Sequence, residues 1–196
     1  MAKLEPKFYF KEKYIYTEFM FKLYIDADSL PKQHRKIILN RIVKENIESY
    51  FAADRELSDV LEAKALHTAQ LRSPFKDTLD KQELRKIKSS INMVVVSTGA
   101  NSADDKLVEI AEAPGIAITH DIPLAARLLE KGISVIDDRG NEYTSDDIKE
   151  RLSIRSVMAD FREMGIFDDK SKRFDDRTIN AFANSFDRLI DKYKKR

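Results

Sequence analysis

The stretch from Phe21 to Pro31 constrains the fold most, because it joins a buried strand to two carboxylates. Its first residues are apolar, β-branched and aromatic, which is typical of a strand in a parallel sheet, and Pro31 favours a helix start directly afterwards. Side chains alternate along a strand, so we expect Asp26 and Asp28 to project to the same side. Two such carboxylates repel each other unless a cation or hydrogen-bond donors offset the repulsion. The stretch therefore indicates a metal site at the carboxyl end of a strand.

Length and composition narrow the class of protein. The chain has 196 residues, of which 42% are hydrophobic and 35% charged, which indicates one soluble, helix-rich α/β domain. The net charge of +1 neither favours nor excludes a nucleic-acid partner. Because there is no cysteine, disulfides, thiolate metal sites and cysteine nucleophiles are excluded. No apolar run approaches the roughly 18 residues of a membrane span and no signal peptide is evident, so we expect a cytoplasmic protein without a membrane partner.

Strand and helix signals alternate along the chain, which predicts an α/β fold with a doubly wound, mostly parallel sheet. We expect residues 1–19 to be an N-terminal extension and residues 20–196 to be a single domain. Charged helical segments between 54 and 90, broken at Ser73-Pro74, predict a helical insertion that forms a pair or a lid. Two long amphipathic helices, at 144–165 and 175–195, should cap the sheet. The other predicted helices are 31–45, one ending near 113, and 121–131, and the later strands are 47–53, 93–97, 115–119 and 133–136.

Further carboxylates stand where later helices begin. Asp104 precedes apolar residues three, four and seven positions on, so it should face the sheet, where a carboxylate needs a partner. The sequence from Ser102 to Asp105 fits a capping box, which leaves Asp105 open to a capping or a functional role. Asp121 follows a strand and is either the N-cap of the next helix or a member of the same site.

Taken together, Asp26, Asp28, Asp104 and Asp121 fall at strand ends or helix starts on one edge of the predicted sheet. Oxygen ligands at such an edge suit Mg²⁺ or Mn²⁺, which keep several waters and bridge to substrate phosphates. With three histidines and no cysteine, a zinc site is disfavoured. His120 either lines this site or is structural.

Three arginines form a basic stripe on the first of the two C-terminal helices. Arg151, Arg155 and Arg162 are spaced i, i+4 and i+11, which places them close to one line. Their guanidinium groups are suited to substrate phosphates or to ion pairs with the aspartates, and both interpretations stay open.

Several segments resemble the YaiI/YqxD family of bacterial proteins, which is grouped with PIN-like nuclease domains. The resemblance covers most of residues 20–53 and 91–190, in order. It is carried by Ile25-Asp26-Ala27-Asp28, Val95-Val96 through Ala103-Asp104-Asp105, Ile118-Thr119-His120-Asp121-Ile122-Pro123-Leu124-Ala125, Gly140-Asn141-Glu142-Tyr143-Thr144, Arg151-Leu152-Ser153-Ile154-Arg155 and Ala181-Phe182-Ala183-Asn184.

The resemblance implies a PIN-like, three-layer α/β/α fold whose strand-end aspartates bind divalent metal and cleave RNA or DNA. We expect RNA as the substrate in the first place, and a homodimer is an open alternative to a monomer. The implied metal ligands are Asp26, Asp28, Asp104, Asp105 and Asp121, and Asp26, Asp104 and Asp121 are the implied catalytic residues. Ser97 and Thr119 are their implied neighbours on the substrate side.

Two other functions compete with this hypothesis. Asp26-Ala27-Asp28-Ser29-Leu30 also resembles the first motif of haloacid-dehalogenase-type phosphatases, with Asp26 as the nucleophile. Ser97 or Thr98, Lys106 and residues 136–138 would stand in for the later motifs. The third interpretation is a non-catalytic module that binds nucleic acid or a protein partner on a PIN-like scaffold.

Overall fold

A central sheet of six strands organises the protein, as seen in a computed structural model that describes residues 8–11, 14–17, 21–96, 102–163 and 175–195, with side chains for 21–96, 103–155 and 175–195. The strands in spatial order are β5-β4-β3-β6-β7-β8. The first five are parallel, and β8 pairs antiparallel with β7. Their bounds are β3 Lys22–Asp26, β4 Ser49–Ala53, β5 Ile91–Val95, β6 Gly115–Ile118, β7 Ser134–Ile136 and β8 Glu142–Tyr143. The predicted mostly parallel sheet is confirmed.

Helices connect and cover the strands. They are α1 Lys32–Glu45, α2 Ser58–Arg72, α3 Lys81–Lys86, α4 Ser102–Ile110, α5 Ile122–Glu130, α6 Ser145–Glu163 and α7 Asp176–Lys194, with a 3₁₀ turn at Ser73–Phe75. The two long C-terminal helices are present as predicted. Within the described part of the chain, every helix is too short or too polar to cross a membrane.

Strand alternation sorts the core into two layers. Leu23 and Ile25 of β3 belong to a cluster that includes buried residues of α1 and α7, together with Leu57 and Val60 at the start of α2. Tyr24 belongs to the opposite cluster, with buried residues of α4, α5 and α6. The fold is therefore a three-layer α/β/α sandwich, as expected. Because Asp26 shares the parity of Tyr24, its side chain is directed to the layer that contains α4 and α5.

Two stretches lie at the margins of this sandwich. Within residues 1–19, β1 Phe8–Lys11 and β2 Tyr14–Thr17 pair as an antiparallel hairpin. Residues 54–90 contain α2, the 3₁₀ turn and α3, and they connect β4 to its parallel neighbour β5. Since α2 packs on both α1 and β5, this stretch supplies part of a helix layer.

A tight turn after β7 carries the chain beneath α7. Asp137 Oδ1 accepts hydrogen bonds from the backbone N–H groups of Arg139 and Asn141, both at 2.8 Å. Gly140 has φ of +88°, and a Cβ built there would lie 2.8 Å from the carbonyl oxygen of Ala181 in α7. The backbone of α7 therefore packs directly against the turn, which no larger residue would permit.

We expect Gly140→Ala to lower the free energy of unfolding by about 2–4 kcal/mol, because it adds overpacking against α7 to the strain of a left-handed backbone. Gly132→Ala is the matched control: φ there is +76°, but the nearest atom to a new Cβ is 3.7 Å away. That variant should lose only about 1 kcal/mol. Urea unfolding of both variants measures the difference, and equal losses would contradict the close packing of α7 on the turn.

Candidate functional site

A buried hydrogen bond fixes the first carboxylate at the end of the central strand. Asp26 is the last residue of β3 and is 7% exposed. Thr119, directly after the neighbouring strand β6, is fully buried and donates from Oγ1 to Asp26 Oδ2 at 2.7 Å. Since a buried carboxylate requires hydrogen-bond donors, Thr119 is the residue that holds Asp26 in place.

The same threonine positions the second carboxylate. Thr119 Oγ1 accepts a hydrogen bond from the backbone N–H of Asp121 at 3.0 Å. Asp121 is the N-cap of α5, and its Oδ1 accepts from the backbone N–H of Leu124 at 2.9 Å. The sequence left capping and function open for Asp121, and the structure shows that it is the N-cap. Thr119 itself, expected on the substrate side, has its hydroxyl bonded within the protein in both directions.

Asp104 brings a third carboxylate from the first turn of α4. Burial, followed by the negative charges of Asp26 and Asp121, raises the pKa of Asp104 to about 6, against the opposing charge of Arg127. Two residues on its helix stripe, Leu107 and Ala111, are fully buried, as the sequence pattern predicted. Three segments far apart in the sequence therefore direct their carboxylates to one place, at the carboxyl ends of β3 and β6.

The other two predicted ligands have different partners. Asp28 Oδ2 accepts from the backbone N–H of Asp54 at 2.6 Å, and its Oδ1 is 3.6 Å from Arg55. Because β3 ends at Asp26 and residues 27–29 form a turn, strand alternation does not extend to Asp28, and a side shared with Asp26 stays a prediction. Asp105 is exposed and pairs with Arg127 at 2.8 Å.

The arginines lie at the rim of this aspartate cluster, by which we mean Asp26, Asp104 and Asp121. Arg155 of α6 places Nη1 3.3 Å from Asp121 Oδ2, so one of the two interpretations of the basic stripe, pairing with the aspartates, is observed. The guanidinium of Arg151 lies 5.1 Å from the centre of the Tyr143 ring. Ser97 and the side chain of Arg162 lie outside the described residues.

Sequence reasoning missed Arg127, which opposes the repulsion at Asp104 and pairs with Asp105. The sequence could have indicated Arg127, because it is the one cationic residue of α5, a helix otherwise rich in leucine and alanine. His120, between Thr119 and Asp121, is exposed, and its Nδ1 lies 3.8 Å from Asp138 Oδ2. Burial raises the pKa of Asp138, and the nearby charge of His120 opposes that rise.

Two of the residues assigned to a phosphatase make contacts of another kind, while Ser97 and Thr98 lie outside the described residues. Lys106 Nζ donates to both carboxylate oxygens of Glu109 at 2.9 Å, which is an intrahelical pair. Asp137 is committed to its turn, where its Oδ2 also accepts from Asn141 Nδ2 at 2.8 Å. In addition, α1 begins at Lys32, shortly after Asp28.

Comparison with known proteins assigns the chain to a family. The model of a family described as "Uncharacterized BCR, YaiI/YqxD family" matches residues 78–192, which is more than half of the chain. The chain belongs to the YaiI/YqxD family. The expected resemblance is confirmed.

Relatives within the YaiI/YqxD family align along most of their length. A UPF0178 protein of Pseudomonas paraeruginosa is 30% identical over 174 residues, covering 89% of this chain and 92% of the relative. A UPF0178 protein of a Nitratiruptor species is 32% identical over 174 residues, covering 89% and 97%. A UPF0178 protein of Pseudomonas fluorescens is 32% identical over 169 residues, covering 86% and 95%. No solved structure matches the chain.

The donor set of this YaiI/YqxD member fits a hydrated ion better than a protein cage. Among the described residues, no group of three or more acidic or histidine side chains is arranged to hold a metal ion. Mg²⁺, however, usually keeps several waters and is held through one or two carboxylates plus substrate phosphates. The charge of Asp26 disfavours ionisation of Asp104, and oxygen is the donor type that Mg²⁺ and Mn²⁺ prefer. The residues therefore fit a partly hydrated divalent cation.

We expect Asp104→Asn to stabilise the protein at pH 7 in the absence of divalent ions. The pKa of Asp104 lies near 6 in the folded state and near 3.8 when unperturbed, so the folded state binds more protons between these values. Stability therefore falls as pH rises through that window, and the ionised carboxylate destabilises the fold at neutral pH. Each pKa unit corresponds to about 1.4 kcal/mol and partial exposure reduces the effect, so we expect a gain of about 1–2 kcal/mol.

Asp176→Asn is the control for this measurement, because Asp176 is an exposed residue in the first turn of α7 and its substitution loses the same favourable interaction with a helix dipole. Chemical unfolding at pH 7 and at pH 4 compares the two variants. The advantage of Asp104→Asn should shrink at pH 4, and equal stabilities of the two variants at pH 7 would contradict the repulsion within the cluster.

Proposed function

We propose that the protein is a divalent-metal-dependent nuclease that hydrolyses phosphodiester bonds, with RNA as the expected substrate, in the cytoplasm. The two hydrogen bonds of the Thr119 hydroxyl, to Asp26 Oδ2 and from the backbone N–H of Asp121, carry this proposal, because they hold two carboxylate residues at one sheet edge. Burial and then the charges of these two residues raise the pKa of Asp104, which supports it. In open α/β sheets, ligands bind outside the carboxyl ends of the strands, at the point where the strand order reverses. Here that point lies between β3 and β6, which end beside Asp26 and Thr119.

Each residue of the aspartate cluster would have its own role in this reaction. The Oδ1 atom of Asp26 and the carboxylate of Asp104 would hold Mg²⁺ or Mn²⁺, with Thr119 fixing the orientation of Asp26. The chemistry that such a cation supplies when bound is polarisation of a phosphoryl oxygen and activation of water. Asp121, held rigidly as an N-cap, would orient the attacking water through Oδ2.

Positive groups at the rim would bind the nucleic acid. Arg155 is half-exposed beside Asp121, and Arg151 lies one helical turn before it on α6. Guanidinium groups form bidentate contacts with phosphate, so both are suited to a strand that crosses the cluster. We keep Arg162 and Ser97 as proposed substrate contacts on the sequence pattern alone, and Asp28 and Asp105 as outer carboxylates that add negative charge.

The test is cleavage of single- and double-stranded RNA and DNA with Mg²⁺ or Mn²⁺, with EDTA as the metal-free condition. We expect cleavage that EDTA abolishes. Even residues behind the ligands of a metal site typically contribute 10–100-fold, so Asp26→Asn and Asp104→Asn should each lose about 100-fold or more. Asp176→Asn, the same change of charge at an exposed residue in the first turn of α7, should stay within a few-fold of the wild type.

Each competing function has its own signature in this assay. RNA binding that survives EDTA and Asp104→Asn, without cleavage, would favour the non-catalytic module. A phosphorylated Asp26 trapped with a phosphomonoester would favour the phosphatase. Cleavage that proceeds unchanged in EDTA would contradict the proposal directly.

Thr119→Val should weaken Mn²⁺ binding and cleavage by about 10–100-fold, because it removes the donor that orients Asp26. Thr119→Ser keeps the hydroxyl and should retain most of the Mn²⁺ affinity and most of the cleavage activity. Mn²⁺ titration followed by electron paramagnetic resonance measures the binding. Equal affinities for the two variants would show that the hydroxyl does not position Asp26 for the cation.

A further inference from the structure

The carboxylate of Asp121 has two oxygens with different partners. Its Oδ1 accepts from the backbone N–H of Leu124 at 2.9 Å, which ties the carboxylate to the start of α5. Its Oδ2 lies 3.3 Å from Nη1 of Arg155. The capping bond prevents the carboxylate from turning freely, so Oδ2 is the oxygen through which Asp121 would serve a cation or its water. In the free protein, the Arg155 guanidinium therefore occupies the position next to that oxygen.

We propose that Arg155 is a placeholder cation: it neutralises Asp121 in the free protein and moves to a phosphate of the nucleic-acid strand when a divalent cation binds. The inference rests on the proposed function and deepens it, because it makes binding of the cation depend on the anionic substrate. The free protein then binds Mg²⁺ or Mn²⁺ weakly, and the strand and the ion bind cooperatively.

The geometry of α6 allows this exchange. Ile148 is buried at the base of the helix, and Arg151 lies over the ring of Tyr143, so the first part of α6 is anchored. Arg155 lies one turn beyond, and its side chain is 49% exposed, so its long stem can turn from the carboxylate towards solvent. An exposed ion pair is worth at most about 1 kcal/mol, which makes the contact easy to break once a phosphate is available.

Charge balance gives the coupling its direction. Burial and the charges of Asp26 and Asp121 already raise the pKa of Asp104, so this cluster attracts any cation within reach. A divalent ion and the Arg155 guanidinium compete for the same negative field, and like charges repel when both are present. A phosphate beside the ion removes that conflict by pairing with the released guanidinium. Coupling between two ligands is reciprocal, so the strand must tighten the ion by the same factor as the ion tightens the strand.

The experiment is a Mn²⁺ titration of the full chain followed by electron paramagnetic resonance, with and without a phosphorothioate-linked hexathymidylate that resists cleavage. The proteins are the wild type, Arg155→Gln, Arg155→Lys and Arg85→Gln, an exposed control on α3 with the same loss of charge. We expect the oligonucleotide to tighten Mn²⁺ binding to the wild type at least fivefold. Arg155→Gln should bind Mn²⁺ alone three- to tenfold more tightly than the wild type, and the oligonucleotide should then tighten its affinity by a smaller factor than it does for the wild type.

The two remaining variants separate a placeholder from a structural role. Arg155→Lys keeps the positive charge and should stay near the wild type for Mn²⁺ alone, and Arg85→Gln should match the wild type in both conditions. If the wild type binds Mn²⁺ but Arg155→Gln binds it no more tightly, the placeholder is wrong and the proposed metal site stands. If neither protein binds Mn²⁺ with or without the oligonucleotide, the proposed function and this inference fail together.

Discussion

The hydrogen bond from Thr119 Oγ1 to Asp26 Oδ2 joins β3 and β6, the two strands between which the sheet reverses its chain order. Chain connections leave these two strands in opposite directions, and in open α/β sheets ligands bind at the carboxyl ends of such a strand pair. The same hydroxyl accepts from the backbone N–H of Asp121, so one buried side chain sets both the end of the central strand and the start of α5. Because Asp121 caps that helix, the hydrogen bond to Thr119 positions both a carboxylate of the proposed site and the start of a helix.

This arrangement concentrates negative charge at the carboxyl ends of β3 and β6. Asp104 lies against the layer of α4 and α5, and its raised pKa shows that burial and its neighbours disfavour the charged form. Two cations oppose the repulsion, and both lie at the rim: Arg127 pairs with Asp105, and Arg155 pairs with Asp121. Since exposed pairs are weakened by solvent, they relieve only part of the repulsion. The repulsion that the two arginines leave unrelieved would favour binding of a smaller and more highly charged cation.

Local sequence patterns predicted the positions of the aspartate cluster but not the contacts of Asp28, Arg127 and Arg155. Asp26, Asp104 and Asp121 could be predicted because a strand end, an apolar helical stripe and an N-cap are each encoded within a few residues. The contacts of Asp28 could not be predicted in this way, because strand alternation applies only within a strand, and β3 ends two residues earlier. The partners of Arg127 and Arg155 depend on how α5 and α6 pack beside α4, which involves residues more than 20 positions apart. Contacts between residues so far apart produce no periodic pattern in the sequence.

The cluster also bears on whether the nucleophile would be a side chain or water. Nucleophilic attack by Asp26 would have to come from Oδ1, because Oδ2 is held by Thr119, and Oδ1 is the oxygen through which the proposed cation would bind. A phosphate approaching Asp26 would also meet the charges of Asp104 and Asp121, while Lys106, the cation a phosphatase would use, is paired with Glu109. Carboxylates that are fixed by hydrogen bonds and repel one another are better suited to holding a cation and orienting water than to forming a covalent bond. The electrostatics of the cluster therefore favour hydrolysis by water over a phospho-aspartate intermediate.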